Sequence, residues 1–518
     1  MIQSLRPRRL PFLAGFLSLF ATCASSEELA VPAEPTFWVE EVASGLKNPF
    51  SLTWLPGGDA LITERNGGLR RLHEGKLAPQ AISGVPPNHQ GILNGLIDVV
   101  LDPAYAANSR IYLALSEGTA AAHHAALYSA TLTGSALTDT RRIFRSTPDI
   151  GGISPITGRL LRLPDGTLIL SVMGGQPQRD LAQRLDNHIA KLVRINRDGT
   201  VPRDNPFLAT PGALPEIFAI GLRSTEGLFF DASTSRIWSV DIGPKGGDEL
   251  NLIKPGANYG WPTTTWGFDY SGAPVSGAQS SAGVEDPLNV WTPAVSPASI
   301  TRLRSDEFPG WRGDFFIGML TSKELRRLRI NDRFQVTLQE TLLADLDERI
   351  RFVTVGPDNY LYVLTDHPNG RLLRLRPGQP APHDIERKAR PLALSYAPAD
   401  TAEPGFALMP SNARANPANG RQIFNQRCAA CHRMGHDVEG GEIGPDLAGV
   451  FGRSVGRAPG FNYSSAMSAA PYRWEERSLD LFLSDPKSFI PGNTMAAASV
   501  SDARDRLDLI AFIKKTSP

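Results

Sequence analysis

A six-bladed all-β propeller followed by a small all-α domain is the fold class the sequence predicts. Three observations predict it. Between residues 36 and 377 one phrase recurs six times: an apolar alternating strand, a tight turn with Asp, Pro or Gly, and a second apolar strand. From Gly378 to Ala413 that pattern stops. From Arg414 onward helical signals replace it. A chain of 518 residues is also too long for one core.

The elements follow in order. Arg6, Arg8 and Arg9 precede the short apolar run Leu10 to Ala21, and Thr22-Cys23-Ala24 supplies small residues, so residues 1–24 are expected to be a signal peptide. A membrane anchor is the alternative; no later run is long and apolar enough to span a bilayer. The six hairpins are Leu52 to Thr63, Asp98 to Leu115, Leu160 to Val172, Leu228 to Val240, Ile300 to Leu320 and Phe352 to Thr365. Regular repetition favours a propeller over a sandwich. Residues 378–413 are rich in Pro, Ala and charge and read as a linker, with a flexible span of roughly 30 to 36 Å. Residues 414–518 form the last domain. Asn416 caps a helix that begins at Pro417, and Asp502 to Lys515 places Leu507, Ile510, Ala511 and Ile513 largely on one side.

The formal net charge is zero, which excludes the basic excess of a nucleic-acid binder. The chain has three cysteines. Cys23 leaves with the signal, and the other two form Cys428-Ala429-Ala430-Cys431-His432. Two thiols about one helical turn apart suit thioether bonds to the two vinyl groups of a haem, with His432 under the iron. A zinc site would need a second pair, and none exists. A sixth ligand is sought far downstream, because Met434 is too close to His432. Met467 is read as a packing residue. Met495 lies in Pro491-Gly492-Asn493-Thr494-Met495, a turn able to present its thioether inward.

From Gly420 to Lys515 the chain resembles class I cytochrome c, through CAACH, GPDLAGVFGRSVGRAPGFNYSSAM and SFIPGNTM. The resemblance implies covalent haem c at Cys428 and Cys431, iron ligation by His432 and Met495, and packing of Pro445 near His432.

Upstream there is no Gly-rich dinucleotide fingerprint. Basic residues instead sit at the ends of apolar strands: Arg223, Lys323, Arg349 and Arg351. Converging at a propeller mouth, they would bind a polyanion with carboxylates. Solvated surface charge is the bland alternative for each alone. Gly243 and Pro244, in DIGPKGGDELN, offer carbonyls to a cation. Residues 36–377 resemble the soluble quinoprotein glucose, aldose sugar and sorbosone dehydrogenases, most closely in PEIFAIGLRSTEGLFFD, DIGPKGGDELNLIKPGANYGWP and RIRFVTVGPDNYLYVLTD. That resemblance implies pyrroloquinoline quinone (PQQ) held by Arg223, Lys323, Arg349 and Arg351. It further implies calcium on the Gly243 and Pro244 carbonyls, and oxidation of a sugar or related aldehyde or alcohol.

The chain departs from the family at the substrate side. Pro155 stands where the family's catalytic His would be, Leu93 replaces its Gln, and a family Asp is replaced around Gly174. Replacement bases are sought among His89, His123, His124, His188, Asp241 and Glu226. Two functions are therefore weighed. One is a periplasmic PQQ- and calcium-dependent dehydrogenase of a small-molecule substrate, feeding its own haem and then a soluble or membrane-bound acceptor. The other is a catalytically degenerate propeller that docks a partner for the cytochrome.

Overall fold

The computed structural model describes residues 36–516 except 92, 271–272, 274, 277, 379–386, 393, 395–414, 436–440, 442, 471–472, 485, 491, 496–499 and 501. The expected signal peptide lies outside the described residues. No described helix is long and apolar enough to cross a membrane.

Six antiparallel sheets form the propeller, five of four strands and one of five. Their inner strands are Pro49–Trp54, Leu96–Leu101, Thr157–Arg162, Thr225–Asp231, Pro297–Arg302 and Ile350–Val355, here numbered blades one to six. Each inner strand touches the next, and the sixth returns to the first, so the ring is closed. Every hairpin expected from the sequence is the first-to-second strand pair of one blade. The turn Pro164-Asp165-Gly166 shows why. Asp165 accepts the Thr167 amide at 2.8 Å, and Gly166 takes the φ of +86° that the tight reversal requires.

Closure comes from the N-terminus. Phe37–Leu46 pairs antiparallel with Gly370–Pro377 and becomes the outer strand of blade six. Leu46 and Gly370 are thus register partners in the sheet, which leaves no open seam at the ring's start. Part of the stretch expected as a linker is structured: Arg390–Leu392 pairs with Val336–Leu342 as the fifth strand of blade five. Three residues are too few for a readable period, and the partner edge supplies the bonds.

The core lies between neighbouring blades. One cluster joins Tyr112, Leu127, Leu160 and Leu170 of blades two and three, and another joins Phe316, Leu325, Val353 and Val363 of blades five and six. At the axis stands Arg159. From blade three it donates to the carbonyls of Glu226 (2.6 Å), Phe50 (3.1 Å), Ala298 (3.0 Å) and Arg351 (3.3 Å), and lies 3.8 Å from Asp98. One guanidinium therefore touches all five other blades. Burial pushes its pKa down to about 10, which still leaves it charged at neutral pH.

The C-terminal domain contains the helices Pro417–Arg427, Ser465–Ala469, Glu476–Ser484, Pro486–Phe489 and Ala503–Lys515. Asn416 caps the first, accepting from the amides of Ala418 and Asn419, and Asp502 caps the last. These two helices cross at Gly420, where a Cβ would overlap the backbone carbonyl of Asp508. Beside the crossing Phe424 meets Phe512 edge-on at 5.7 Å, and Asn419 donates to Asp508 at 2.9 Å. In the last helix Leu509, Ile510, Phe512 and Ile513 are the buried apolar residues; Leu507 and Ala511 are half-buried. The apolar face is thus rotated from the one the sequence suggested, because the Gly420 crossing sets which side meets the first helix.

An aromatic pair joins the domains. Phe268 of the propeller is buried in the C-terminal core and meets Phe489 edge-on at 6.4 Å. Phe268 also hydrogen-bonds Lys245 in both directions through the backbone, so it braces the Gly243–Gly247 loop.

Candidate functional site

The C-terminal domain encloses an apolar cavity of about 210 Å³, lined by Cys428, Cys431, His432, Met467 and Met495. The His432 Nδ1 lies 2.9 Å from the Pro445 carbonyl oxygen. A carbonyl only accepts, so Nδ1 carries the proton and Nε2 keeps its lone pair for a metal. Gly444 allows this: a Cβ there would overlap the imidazole. Met495 is held by a local bond from its amide to Asn493 Oδ1 at 2.9 Å. Two thiols, an oriented imidazole and a thioether around an apolar cavity fit a covalently attached haem. Met467 shares the wall and also packs against the core. Phe461, Tyr463, Trp474 and Leu483 complete much of the lining.

The propeller mouth lies where inner strands begin and second strands end. Arg223 and Arg349 each come just before an inner strand, and Arg351 lies inside one. Asp366, after the second strand of blade six, accepts Arg351 at 2.8 Å, Arg65 at 3.1 Å and Arg349 at 3.2 Å. Arg351 also pairs with Glu226 at 3.1 Å. Burial alone would raise the Asp366 pKa, but the charges of Arg351 and Arg65 outweigh it and hold it at about 2. Three guanidinium groups thus converge on Asp366, and Glu226 is a second carboxylate partner of Arg351.

Arg223 stands nearby, and its charge acts on the buried carboxyls of Asp241 and Asp248. It donates to the carbonyls of Ile242 (2.7 Å) and Gly243 (3.0 Å) and to the Tyr270 hydroxyl (3.2 Å), with its guanidinium 5.4 Å from the Trp261 ring centroid. The Nε atoms of Arg223 and Arg351 are buried and meet no hydrogen-bond acceptor among the described residues. The convergence of guanidinium groups fits a multiply charged carboxylate ligand such as PQQ. Lys323 stands apart from this cluster: it occupies the turn between the second and third strands of blade five, and its Nζ lies 2.9 Å from the exposed Asp347. Such exposed pairs hold little energy, so the lysine is free to exchange partners. Arg65 was not singled out from the sequence. Its signal was register: aligning the six hairpins puts it at the same second-strand end as Asp366.

The loop with Gly243 and Pro244 is pinned by Asp248, which accepts the amides of Gly243 (2.9 Å), Val295 (2.7 Å) and Ser296 (2.6 Å). The Gly243 carbonyl is a hard oxygen donor of the kind calcium takes, but here it accepts from Arg223. A cation at that oxygen would have to displace the guanidinium. No group of three His, Cys, Asp or Glu side chains is placed to hold a metal among the described residues.

The six base candidates divide clearly. His124 is buried between Glu117 (3.3 Å) and Asp149 (3.1 Å). His188 Nδ1 accepts the Thr147 amide at 3.1 Å. Glu226 is committed to Arg351, and Asp241 accepts from Ser224 (2.6 Å) and Thr225 (3.1 Å) while burial pushes its pKa to about 7. His123 is buried, and His89 packs on it half-exposed. Leu93 is 38% exposed and Pro155 half-buried beside it in the mouth-side loops.

Comparison with known proteins agrees with this division of the chain. A family model described as glucose/sorbosone dehydrogenase matches residues 46–374, and one described as cytochrome c matches residues 417–517. The aldose sugar dehydrogenase YliI of Escherichia coli is 38% identical over 365 residues, covering 68% of this chain and 96% of that protein. Cytochrome c of Euglena viridis is 42% identical over 95 residues, covering 18% of this chain and 91% of its own. The solved PQQ-bound form of aldose sugar dehydrogenase from Streptomyces coelicolor superimposes with a TM-score of 0.53 at 25% identity, over 66% of this chain and 98% of that one. The chain therefore belongs to the glucose/sorbosone dehydrogenase family, with a cytochrome c domain joined to its propeller, and is an oxidoreductase.

Proposed function

We propose that this protein is a periplasmic quinohaemoprotein that oxidises a sugar, or a related aldehyde or alcohol, with PQQ and passes the electrons singly to its own haem c. The observation that carries the reading is the convergence of guanidinium groups at the mouth: Arg65, Arg349 and Arg351 meet at Asp366, and Arg223 stands before the inner strand of blade four at the same end. PQQ, when bound there, supplies the two-electron acceptor. Arg223, Arg349 and Arg351 would hold its carboxylates, with Lys323 at the rim. Cys428, Cys431, His432 and Met495 would hold haem c, which would supply one-electron exchange there. Calcium on the Gly243 and Pro244 carbonyls would follow release of Gly243 by Arg223.

The aromatic pair Phe268–Phe489 supports coupling between the two sites, because it links the residue bracing the Gly243 loop to the helix that precedes Met495. Covalent haem attachment and the N-terminal basic-apolar segment support a periplasmic location. A soluble or membrane-bound acceptor takes the electron onward.

The second reading, a propeller that only docks a partner, is favoured by Pro155 and by the engagement of Gly243 with Arg223. A PQQ titration of the haem-loaded protein, with calcium and with a chelator, separates the two. Calcium-dependent binding followed by sugar-driven haem reduction is expected. No binding under either condition would leave the docking module.

A further inference from the structure

The missing family histidine has a structural replacement, and this inference rests on the dehydrogenase reading. His89 lies in the loop that enters the inner strand of blade two, at the same end of the propeller as Arg223 and Arg349. Its amide is anchored to the Ser116 carbonyl at 2.7 Å. Its ring is half-exposed and packs on His123, with centroids 4.9 Å apart and planes tilted by 40°. Behind it His123 is fixed: Nε2 lies 3.0 Å from the Ser154 carbonyl and Nδ1 3.2 Å from the Thr119 carbonyl. Asn94 donates to the same Ser154 oxygen at 3.2 Å. Ser154 immediately precedes Pro155. His89 therefore sits one imidazole away from the backbone that would otherwise carry the base.

Among the six candidates, His89 alone combines an accessible ring with ring nitrogens that meet no hydrogen-bond partner among the described residues. The other five are buried or already bonded. Burial and the neighbouring His123 also lower the His89 pKa, which keeps the ring neutral and able to accept a proton at neutral pH.

We propose that His89 is the general base of this enzyme, standing in for the absent histidine at position 155. A ring nitrogen of His89 takes the hydroxyl proton of the substrate. The hydride on the same carbon passes to a quinone acceptor. The O–H and C–H bonds break, a C=O bond forms, and the electron pair leaves with the hydride. His123 is the positioning residue that fixes the ring.

The test uses the full haem-loaded chain. Diethyl pyrocarbonate should label His89, and PQQ with calcium, alone or with an aldose, should protect it, while buried His123 stays unlabelled; equal labelling with and without these ligands would overturn the proposal. His89→Gln should bind PQQ within about twofold of wild type yet oxidise an aldose panel at least about 100-fold more slowly, the scale of a lost general base. The double variant His89→Gln with Pro155→His should recover part of that rate. A His89→Gln protein as fast as wild type would reject His89 while leaving the dehydrogenase reading intact. A wild-type protein that binds PQQ and oxidises no aldose, alcohol or aldehyde would reject both.

Discussion

At the residue scale, Asp366 holds the candidate cofactor mouth together. Arg65, Arg349 and Arg351 reach it from blades one and six, and each would repel the others without it. Its folded pKa of about 2 lies below the ordinary 3.8. A depressed carboxylate contributes stability that is fully present above pH 3.8 and is lost as pH falls through about 2. The shift corresponds to about 2 kcal/mol. Asp366→Asn should therefore destabilise the propeller by roughly 3 to 5 kcal/mol at neutral pH, because it leaves buried guanidinium uncompensated. The variant should also lose that acid-limb dependence. Denaturant unfolding of both proteins between pH 2 and 7 checks this, and an unchanged acid limb would show that Asp366 does not hold the arginines.

Elements carry a different lesson, because propensity and packing point in opposite directions at Gly420. Glycine inside a helix costs about 1 kcal/mol relative to alanine, so Gly420→Ala should stabilise the first helix taken alone. In the folded domain a Cβ there meets the Asp508 carbonyl, a backbone atom that cannot swing aside. Overpacking typically costs about 1 to 3 kcal/mol, so packing wins and the variant should be less stable by about that amount. Chemical denaturation followed through the haem spectrum gives the sign. The cap of the first helix was legible in advance, since Asn416-Pro417 is a local signal. The apolar face of Ala503–Lys515 was not, because Leu509 and Phe512 are selected by the approach of the other helix rather than by period.

For the whole molecule, the question is how electrons leave the propeller. Phe268 and Phe489 join the mouth loop to the haem domain, and such an aromatic pair contributes about 0.5 to 1.5 kcal/mol. That is up to about a tenfold change in a docking equilibrium. Phe268→Ala should thus slow sugar-driven haem reduction by up to about tenfold, while reduction of a small diffusible dye by the propeller stays unchanged. Stopped-flow measurement of both rates separates docking from catalysis; an equal loss in both would mean that Phe268 shapes the mouth itself.

The sequence by itself determined the parts whose signals are local. Six turns built from Asp, Pro and Gly announced six hairpins, and Cys428-x-x-Cys431-His432 announced a cytochrome c domain, because turn geometry and motif spacing depend only on neighbours in the chain. It also brought out Arg223, Arg349 and Arg351 as strand-end charges. Tertiary structure alone decided what meets what across blades. It placed Arg159 against all five other blades, gave Arg65 to Asp366, used Phe37–Leu46 to close the ring, and stacked His89 on His123 behind Pro155. The physical reason is that a side chain's burial and its charge partners are fixed by contacts between residues up to hundreds of positions apart, which no local period records.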